Sequence, residues 1–333
     1  MLNKVYEKSK QYIKENKLFL TGIFVILFLF FCPTPYMIYT PGGIVSLEDR
    51  IEVAGGYESE GSFNMAYVSM MKGSIPFILF SKIMPNWELV KKSDLTSDGN
   101  INSMIDTDKI SMQASIDVAT YKAFTLASKK VEIIKEINHI TYISEEANTD
   151  LKLLDQFISV NDVEIKNIYQ LREVIKEKNE GDQVVLLVSR NGKEIECHAR
   201  IYNTEEGLKI GVAFETTYEL ETDPKVTVKT KGSESGPSGG LMLALDIYNQ
   251  LVEEDITKGR KIVGTGTIDF EGNVGAIGGV KYKVLGAAKK KADIFLVPEE
   301  NYEEAKQVKE DNDLDIELIS VKTLEEAIEA LTK

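Results

Sequence analysis

The sequence predicts a mixed α/β (α+β) protein with more than one domain, and three observations lead to this prediction. Strand-like and helix-like segments alternate over residues 210–333, which is typical of α/β folds. Residues 131–205 are richer in strand signals and contain Asn191-Gly192 between two apolar runs, a strong hairpin signal. An uncharged apolar run near the N-terminus predicts a helix that contacts a membrane.

The composition is that of a globular protein and excludes disordered, collagen-like and low-complexity classes. The chain has 333 residues, of which 43% are hydrophobic and 28% are charged. At roughly 150 residues per domain, this length predicts about two domains. The formal net charge is −14, although lysines are frequent at the N-terminus. Because phosphate contacts need lysine and arginine, the acidic remainder argues against a nucleic-acid partner.

Cysteine and histidine are too scarce for several common kinds of site. The two cysteines are Cys32 and Cys197, without a CxxC pair, which excludes a disulfide framework and a thiolate zinc site. The two histidines are His139 and His198, and no HExxH sequence occurs. We therefore expect no metal and no cofactor, and histidine chemistry is disfavoured before any motif is considered.

The N-terminus has the pattern of a membrane-targeting segment. Residues 1–17 form a lysine-rich tail, and the apolar run of residues 18–32 is followed by uncharged residues to Tyr39. We predict one transmembrane anchor over residues 18–39. A cleavable signal peptide is the alternative, but no small-x-small cleavage site follows the run. Since the lysines precede the run, the tail would be cytoplasmic and later residues extracellular, at the cell membrane.

Residues 40–130 and 131–205 are predicted as two further segments. The first mixes short apolar runs with turns and is expected to pack with the later domains; its helical stretch begins near Ser111. The second contains strands, a helix near Ile168 and the Asn-Gly hairpin, and resembles the C-terminal half of a PDZ domain. Its glycine-rich carboxylate-binding loop is not recognisable. A structural spacer and a peptide-binding module that adds a strand both remain open.

Two glycine-bearing turns in residues 210–333 each precede a predicted helix. In the first, Gly236, Pro237 and Gly239 surround Ser238, so that the serine hydroxyl is exposed and amides at the helix start are available for an oxyanion. A simple helix cap would have the same sequence. Such a serine needs a base, and with histidine nearly absent a Ser-Lys pair is the economical solution.

The second turn places Lys281 directly after Gly278 and Gly279. A lysine in the first helical turn lies at the positive end of the dipole, which favours the neutral amine that a general base requires. The alternatives are a solvated lysine and an anion-binding helix start. No GxxxxGK[ST] sequence occurs, so phosphate-loop chemistry is unsupported.

The sequences GPSGGLMLALDIYNQL and GTGTIDFEGNVGAIGGVKYKVLGAAKKKADIFLVPEEN closely resemble the proteolytic domain of Lon proteases. With the membrane run and the PDZ-like segment, the chain resembles membrane-anchored, PDZ-containing Lon-like serine peptidases of Gram-positive bacteria. The resemblance implies a nucleophile at Ser238, a general base at Lys281 and a threonine at Thr265 that hydrogen-bonds the lysine. Lon proteases usually carry alanine where this chain has Gly239.

The sequence thus predicts an ATP-independent serine endopeptidase tethered to the outer face of the cytoplasmic membrane. Peptides or unfolded proteins would be its substrates, with signalling peptides suggested by the resemblance. No Walker motif is present, so no ATP is expected, and a homo-oligomer is allowed because Lon-type domains often form rings. The alternative function is a catalytically inert surface adaptor that binds peptides through the PDZ-like segment.

Overall fold

The computed structural model describes residues 2–96, 100–166, 168–232 and 234–333. Two compact units are present: unit 1 is Met1–Pro41 with Ser69–Gly99, and unit 2 is Gly42–Val68 with Asn100–Lys333. The predicted segment 40–130 therefore differs from the structure, since its residues are divided between both units. The reason is that two long strands cross from one unit into the other.

The helices and strands of the described residues follow in chain order. The helices are α1 (Leu2–Glu15), α2 (Lys17–Phe31), α3 (Ile75–Ser81), α4 (Ile101–Leu126), α5 (Ile168–Lys176), α6 (Gly240–Leu251), α7 (Val280–Lys289), α8 (Tyr302–Asp311) and α9 (Leu324–Thr332). The first strands are β1 (Tyr36–Ser46), β2 (Ile51–Val53), β3 (Ser62–Lys72), β4 (Glu88–Lys91), β5 (Lys130–Ile143), β6 (Gln156–Val160), β7 (Val163–Glu164), β8 (Gln183–Arg190) and β9 (Lys193–Arg200). The later strands are β10 (Tyr202–Thr204), β11 (Gly207–Lys209), β12 (Val212–Asp223), β13 (Val226–Val228), β14 (Lys261–Gly264), β15 (Thr267–Ile268), β16 (Val274–Gly275), β17 (Ile294–Pro298) and β18 (Glu317–Val321).

In unit 1 the apolar run forms α2, and its side chains are strongly exposed. Leu18 is 92% and Phe31 is 79% exposed. The helix ends at Phe31 because Pro33 and Pro35 follow, and Tyr36 already lies in β1, where it pairs with β4. The predicted transmembrane anchor over residues 18–39 is therefore helical only as far as Phe31. Within the described ranges, no helix is both long and apolar enough to cross a membrane.

The centre of unit 2 is a largely parallel sheet in the order β18-β17-β14-β3, with β1 next to β3. Strand β14 pairs in parallel with both β3 and β17, through Ile262 opposite Phe63 and opposite Ile294. Helix α6 buries Leu241 and Leu245 in the core against this sheet. The α/β alternation predicted for the C-terminal segment is confirmed, since α6, α7, α8 and α9 alternate with β14, β17 and β18.

A separate antiparallel sheet of unit 2 has the order β12-β5-β6-β8-β9. The Asn-Gly hairpin is confirmed: Asn191 and Gly192 have φ values of 52° and 75° and join β8 to β9. This sheet has its own core, which includes Ile140, Leu186 and, from α5, Leu171. Strand β12 pairs with β5 along its whole length, so the sheet extends to Asp223. The predicted boundaries at 205 and 210 therefore cut the sheet before its last strand.

Candidate active site

Ser238 lies in the tight turn directly before α6. Gly236 has a φ of +93°, in the left-handed region that favours glycine, and its N–H donates to the carbonyl of Asp108 on α4. The Ser115 hydroxyl, also on α4, donates to the carbonyl of Pro237 at 2.9 Å. The Gly266 N–H donates to the carbonyl of Ser238 at 2.8 Å. These hydrogen bonds hold the turn from two sides. They therefore fix the backbone position from which the half-buried Ser238 side chain extends.

Close packing around the first residues of α6 explains the glycines after the serine. A Cβ on Gly240 would lie 2.6 Å from the Ser115 hydroxyl and 2.9 Å from a methyl group of Ile268. A Cβ on Gly239 would meet the sulfur of Met65 on β3. The helix start is thus seated against α4, β15 and β3 at distances that a side chain would prevent.

The lysine that reaches the serine is Lys283. Its Nζ lies 2.8 Å from Ser238 Oγ and 3.0 Å from Thr265 Oγ1. Thr265, which directly follows β14 and is fully buried, donates its own hydroxyl proton to the carbonyl of Ser238 at 2.9 Å. Because that proton is engaged, Thr265 Oγ1 accepts from the lysine, and the three side chains form one connected hydrogen-bond chain.

The structure brings Lys283 to Ser238, two residues after the predicted Lys281. Residues two apart on a helix point to different faces. The buried face of α7 carries Val280, Val284 and Ala287, and Lys283 lies on it, only 4% exposed. Lys281 is half-buried, and its ammonium lies 5.9 Å from the ring centroid of Tyr282. A polar residue inside the apolar stripe was the sequence signal for Lys283, whereas adjacency to the glycine turn led to Lys281.

Burial sets the electrostatics of the Lys283 amine. Desolvation lowers the pKa of Lys283 from 10.5 to about 8, and no carboxylate contributes to the shift. Among the described residues, no acidic side chain forms an ion pair with it. At pH 7 about a tenth of such amines are neutral, so the unprotonated form is readily available.

Two main-chain donors beside the serine are available for an oxyanion. In the described part of the chain, the N–H groups of Ser238 and Gly239 have no hydrogen-bond partner. Both lie at the N-terminal end of α6, where the helix dipole also favours negative charge. They are therefore placed to stabilise the tetrahedral oxyanion that attack by Ser238 would create.

The other predicted turn, Gly278 and Gly279, has a structural role at the start of α7. Gly279 has a φ of +70° and precedes the helix, and a Cβ there would lie 2.8 Å from Val68. A Cβ on Gly278 would point into open space. The turn therefore sets the direction of α7, and through it the position of Lys283. Among the described residues, no cluster of His, Cys, Asp and Glu could hold a metal ion.

Residues 226–333 match the family model of the Lon protease (S16) C-terminal proteolytic domain. Curated relatives agree. A Lon protease of Rickettsia bellii is 34% identical over 101 residues, which cover 30% of this chain and 13% of that protein. A Lon protease of Aster yellows witches'-broom phytoplasma is 32% identical over 78 residues, covering 23% of this chain and 10% of that protein. The segment that contains the serine, the threonine and the buried lysine is thus similar to the Lon proteolytic domain, whereas the chain spans no more than 13% of either relative.

The PDZ domain of the SdrC-like protein from Listeria monocytogenes aligns with 23% of this chain and 85% of its own length. The sequence identity is 15% and the TM-score is 0.22.

Proposed function

We propose that this chain, whose C-terminal third matches the Lon proteolytic domain, is a serine endopeptidase with a Ser238–Lys283 dyad that works without ATP. The observation that carries the proposal is the 2.8 Å contact between Lys283 Nζ and Ser238 Oγ in a buried setting. That distance lies within the range required of a nucleophile and its base.

The chemistry follows from the placement of these groups. Neutral Lys283 takes the proton of Ser238 as the serine oxygen forms a bond to the scissile carbonyl carbon. The negative charge moves to the carbonyl oxygen, which the N–H groups of Ser238 and Gly239 bind. Lys283 then gives its proton to the departing amine as the C–N bond breaks, leaving an ester on Ser238. Water, deprotonated by the same amine, hydrolyses the ester and restores the serine.

Thr265 is a positioning residue in this scheme. Its hydroxyl accepts from Lys283 and donates to the Ser238 carbonyl, so it holds the amine at a fixed point relative to the serine. A buried amine without a carboxylate partner is costly to maintain. A purely structural adaptor would gain nothing from this loss of stability. The buried amine therefore supports a peptidase over an inert adaptor.

The substrates we propose are flexible peptides or unfolded proteins. The sequence contains no GxxxxGK[ST] motif, and without an ATP-driven unfoldase a substrate has to enter the site already extended. The exposed apolar residues of α2 and the lysine-rich segment before it support attachment to the cytoplasmic membrane, with the proteolytic segment outside. We also propose that the antiparallel sheet binds peptides. We further propose that the protein forms a homo-oligomer.

The test uses the full-length chain in mild detergent with an unstructured protein and a peptide pool, without ATP. Mass spectrometry identifies the fragments. Wild type and Lys281→Ala are expected to cleave, because Lys281 does not contact the serine. Ser238→Ala and Lys283→Ala are expected to lose activity by at least about a thousandfold. Equal cleavage by all four proteins would contradict the dyad.

A further inference from the structure

A cavity of about 320 Å³ lies beside the nucleophile turn. Helix α4 forms one wall with Ser111 and Ser115, and Glu215 and Tyr218 of β12 form another. Pro237, the residue before Ser238, closes the end towards the serine. The volume is near the lower end of ligand pockets, roughly 300–1,000 Å³, and suits one side chain rather than a folded partner.

The wall nearest the serine is continuous with the proposed catalytic turn. Ser115 lines the cavity and donates to the carbonyl of Pro237. Thr267 and Ile268, which also line it, follow Thr265 closely in the chain. A peptide bond held at Ser238 would therefore place the side chain of an adjacent residue at the mouth of this cavity.

Glu215 supplies the negative charge of the cavity. Among the described residues that line it, none is Lys, Arg or His. Within the described ranges, the hydrogen-bond partner of the Glu215 carboxylate is the Ser111 hydroxyl, which donates to Oε2 at 3.1 Å. Burial raises the pKa of Glu215, as expected for a carboxylate that lacks a cation.

Tyr218, which lines the same wall of the cavity, lies near this negative charge. Its pKa is raised by burial and further by the carboxylates of Glu136, Glu215 and Asp117. Three acidic groups thus act on Tyr218, and of these Glu215 lines the cavity. A cation entering the cavity would gain attraction from Glu215, whose side chain is half-buried.

We propose that this cavity selects a basic side chain, lysine or arginine, next to the scissile bond, and that Glu215 determines this specificity. The inference rests on the proposed peptidase function. The Ser111 hydroxyl donates to one lone pair of the Glu215 carboxylate. A carboxylate has about four lone-pair sites, so it can also accept from an ammonium or guanidinium group. An uncharged side chain would leave this half-buried carboxylate without a cation.

The first experiment needs no variant of the cavity. The full-length protein in mild detergent is given peptides that differ only at the tested position: arginine, its neutral isostere citrulline, leucine or glutamate. Wild type is expected to show a kcat/KM for arginine at least about tenfold above that for citrulline, with glutamate lowest. Equal kcat/KM values for arginine and citrulline would overturn the inference.

The second experiment tests Glu215 itself. Glu215→Gln is expected to bring the arginine-to-citrulline ratio of kcat/KM to within about twofold of one. Glu219→Gln, which changes an exposed carboxylate on the same strand, is the matched control and is expected to keep the wild-type ratio. If Glu215→Gln keeps the wild-type arginine-to-citrulline ratio of kcat/KM, other residues determine the selectivity. That result would contradict the role of Glu215.

The two proposals fail in distinguishable ways. If wild type cleaves peptides and Ser238→Ala does not, the peptidase stands, and only the arginine preference decides the inference. If no peptide is cleaved, or Ser238→Ala cleaves as well as wild type, the proposed function fails and the specificity inference fails with it.

Discussion

Lys283 combines two properties that oppose each other in a folded protein. Its amine lies among apolar residues of α7 and is 4% exposed, yet its partners are two hydroxyl groups rather than a carboxylate. The difference between a pKa of 10.5 and one of about 8 corresponds to roughly 3 kcal/mol. The protein therefore loses stability at neutral pH to keep an amine that deprotonates easily.

Replacing this lysine with methionine is expected to stabilise the protein while it abolishes cleavage. Lys283→Met removes the buried charge and keeps the chain length, so the free energy of unfolding should rise by about 1–3 kcal/mol at pH 7. Denaturant unfolding at pH 7 and at pH 10 measures this gain. The unfolded amine titrates near 10.5 and the folded one near 8, so the gain should shrink as the pH rises from 8 to 10.5. A destabilised Lys283→Met protein at pH 7 would contradict the account.

The same pKa predicts the pH dependence of cleavage. The base acts in its neutral form, so kcat/KM should rise about tenfold per pH unit below 8 and level off above it. The profile is measured with a peptide that carries citrulline at the tested position. Because citrulline is neutral, its binding does not depend on the charge of Glu215. A flat profile between pH 6 and 9 would rule out a lysine base with this pKa.

At this scale the sequence predicted that Ser238 and Thr265 belong to the candidate site, but not which lysine the structure brings to them. Ser238 could be chosen because glycines and a following helix surround it, and both signals are local. The choice between Lys281 and Lys283 depends on which face of α7 is buried, and three apolar residues decide that face. Glu215 could not be found from the sequence at all, because β12 is brought to the nucleophile turn by tertiary packing.

At the scale of elements, the start of α6 is the most closely packed part of the site. Gly240→Ala should cost about 1–3 kcal/mol of stability and lower kcat, because its Cβ would displace the Ser115 hydroxyl that holds the nucleophile turn. Gly278→Ala is the matched control, since its Cβ would lie in open space at the other glycine turn. Denaturant unfolding and peptide kinetics compare the two variants; equal losses would contradict the packing argument.

The last helix illustrates a local signal that the structure reproduces. The sequence Thr323-x-x-Glu326 is typical of a capping box, and the Thr323 hydroxyl accepts the Glu326 N–H at 3.1 Å. The Glu326 carboxylate reaches back to the N–H of Lys322 at 2.8 Å. Element types in the C-terminal segment were predictable for this reason. The length of β12 was not, because its partner β5 lies some seventy residues earlier in the chain.

At the scale of the whole molecule, the sequence separates an α/β part from a strand-rich part, and the structure contains a largely parallel sheet and an antiparallel sheet. The alternating elements of the C-terminal segment predicted the first, and the Asn-Gly hairpin predicted the second. The division of residues 40–130 between two units was not predictable. It depends on β1 and β3, which are long strands whose partners lie far away in the sequence.

The proposed membrane attachment makes a prediction for the exposed apolar helix. Phe24→Asp together with Leu27→Asp should release the protein from anionic vesicles in a flotation assay, because both side chains are at least half exposed on α2. Tyr169→Asp, at an exposed aromatic residue on α5, is the control and should still float. Unchanged flotation of the double variant would contradict attachment through this helix.

The most direct test of the Ser238–Lys283 assignment is detection of the acyl-enzyme. The full-length protein is mixed with an activated peptide ester, quenched in acid and analysed by mass spectrometry of its peptides. Wild type and Lys281→Ala are expected to carry the acyl group on Ser238, whereas Lys283→Met and Ser238→Ala should carry none. An acyl group on another residue, or one lost in Lys281→Ala and retained in Lys283→Met, would contradict the account.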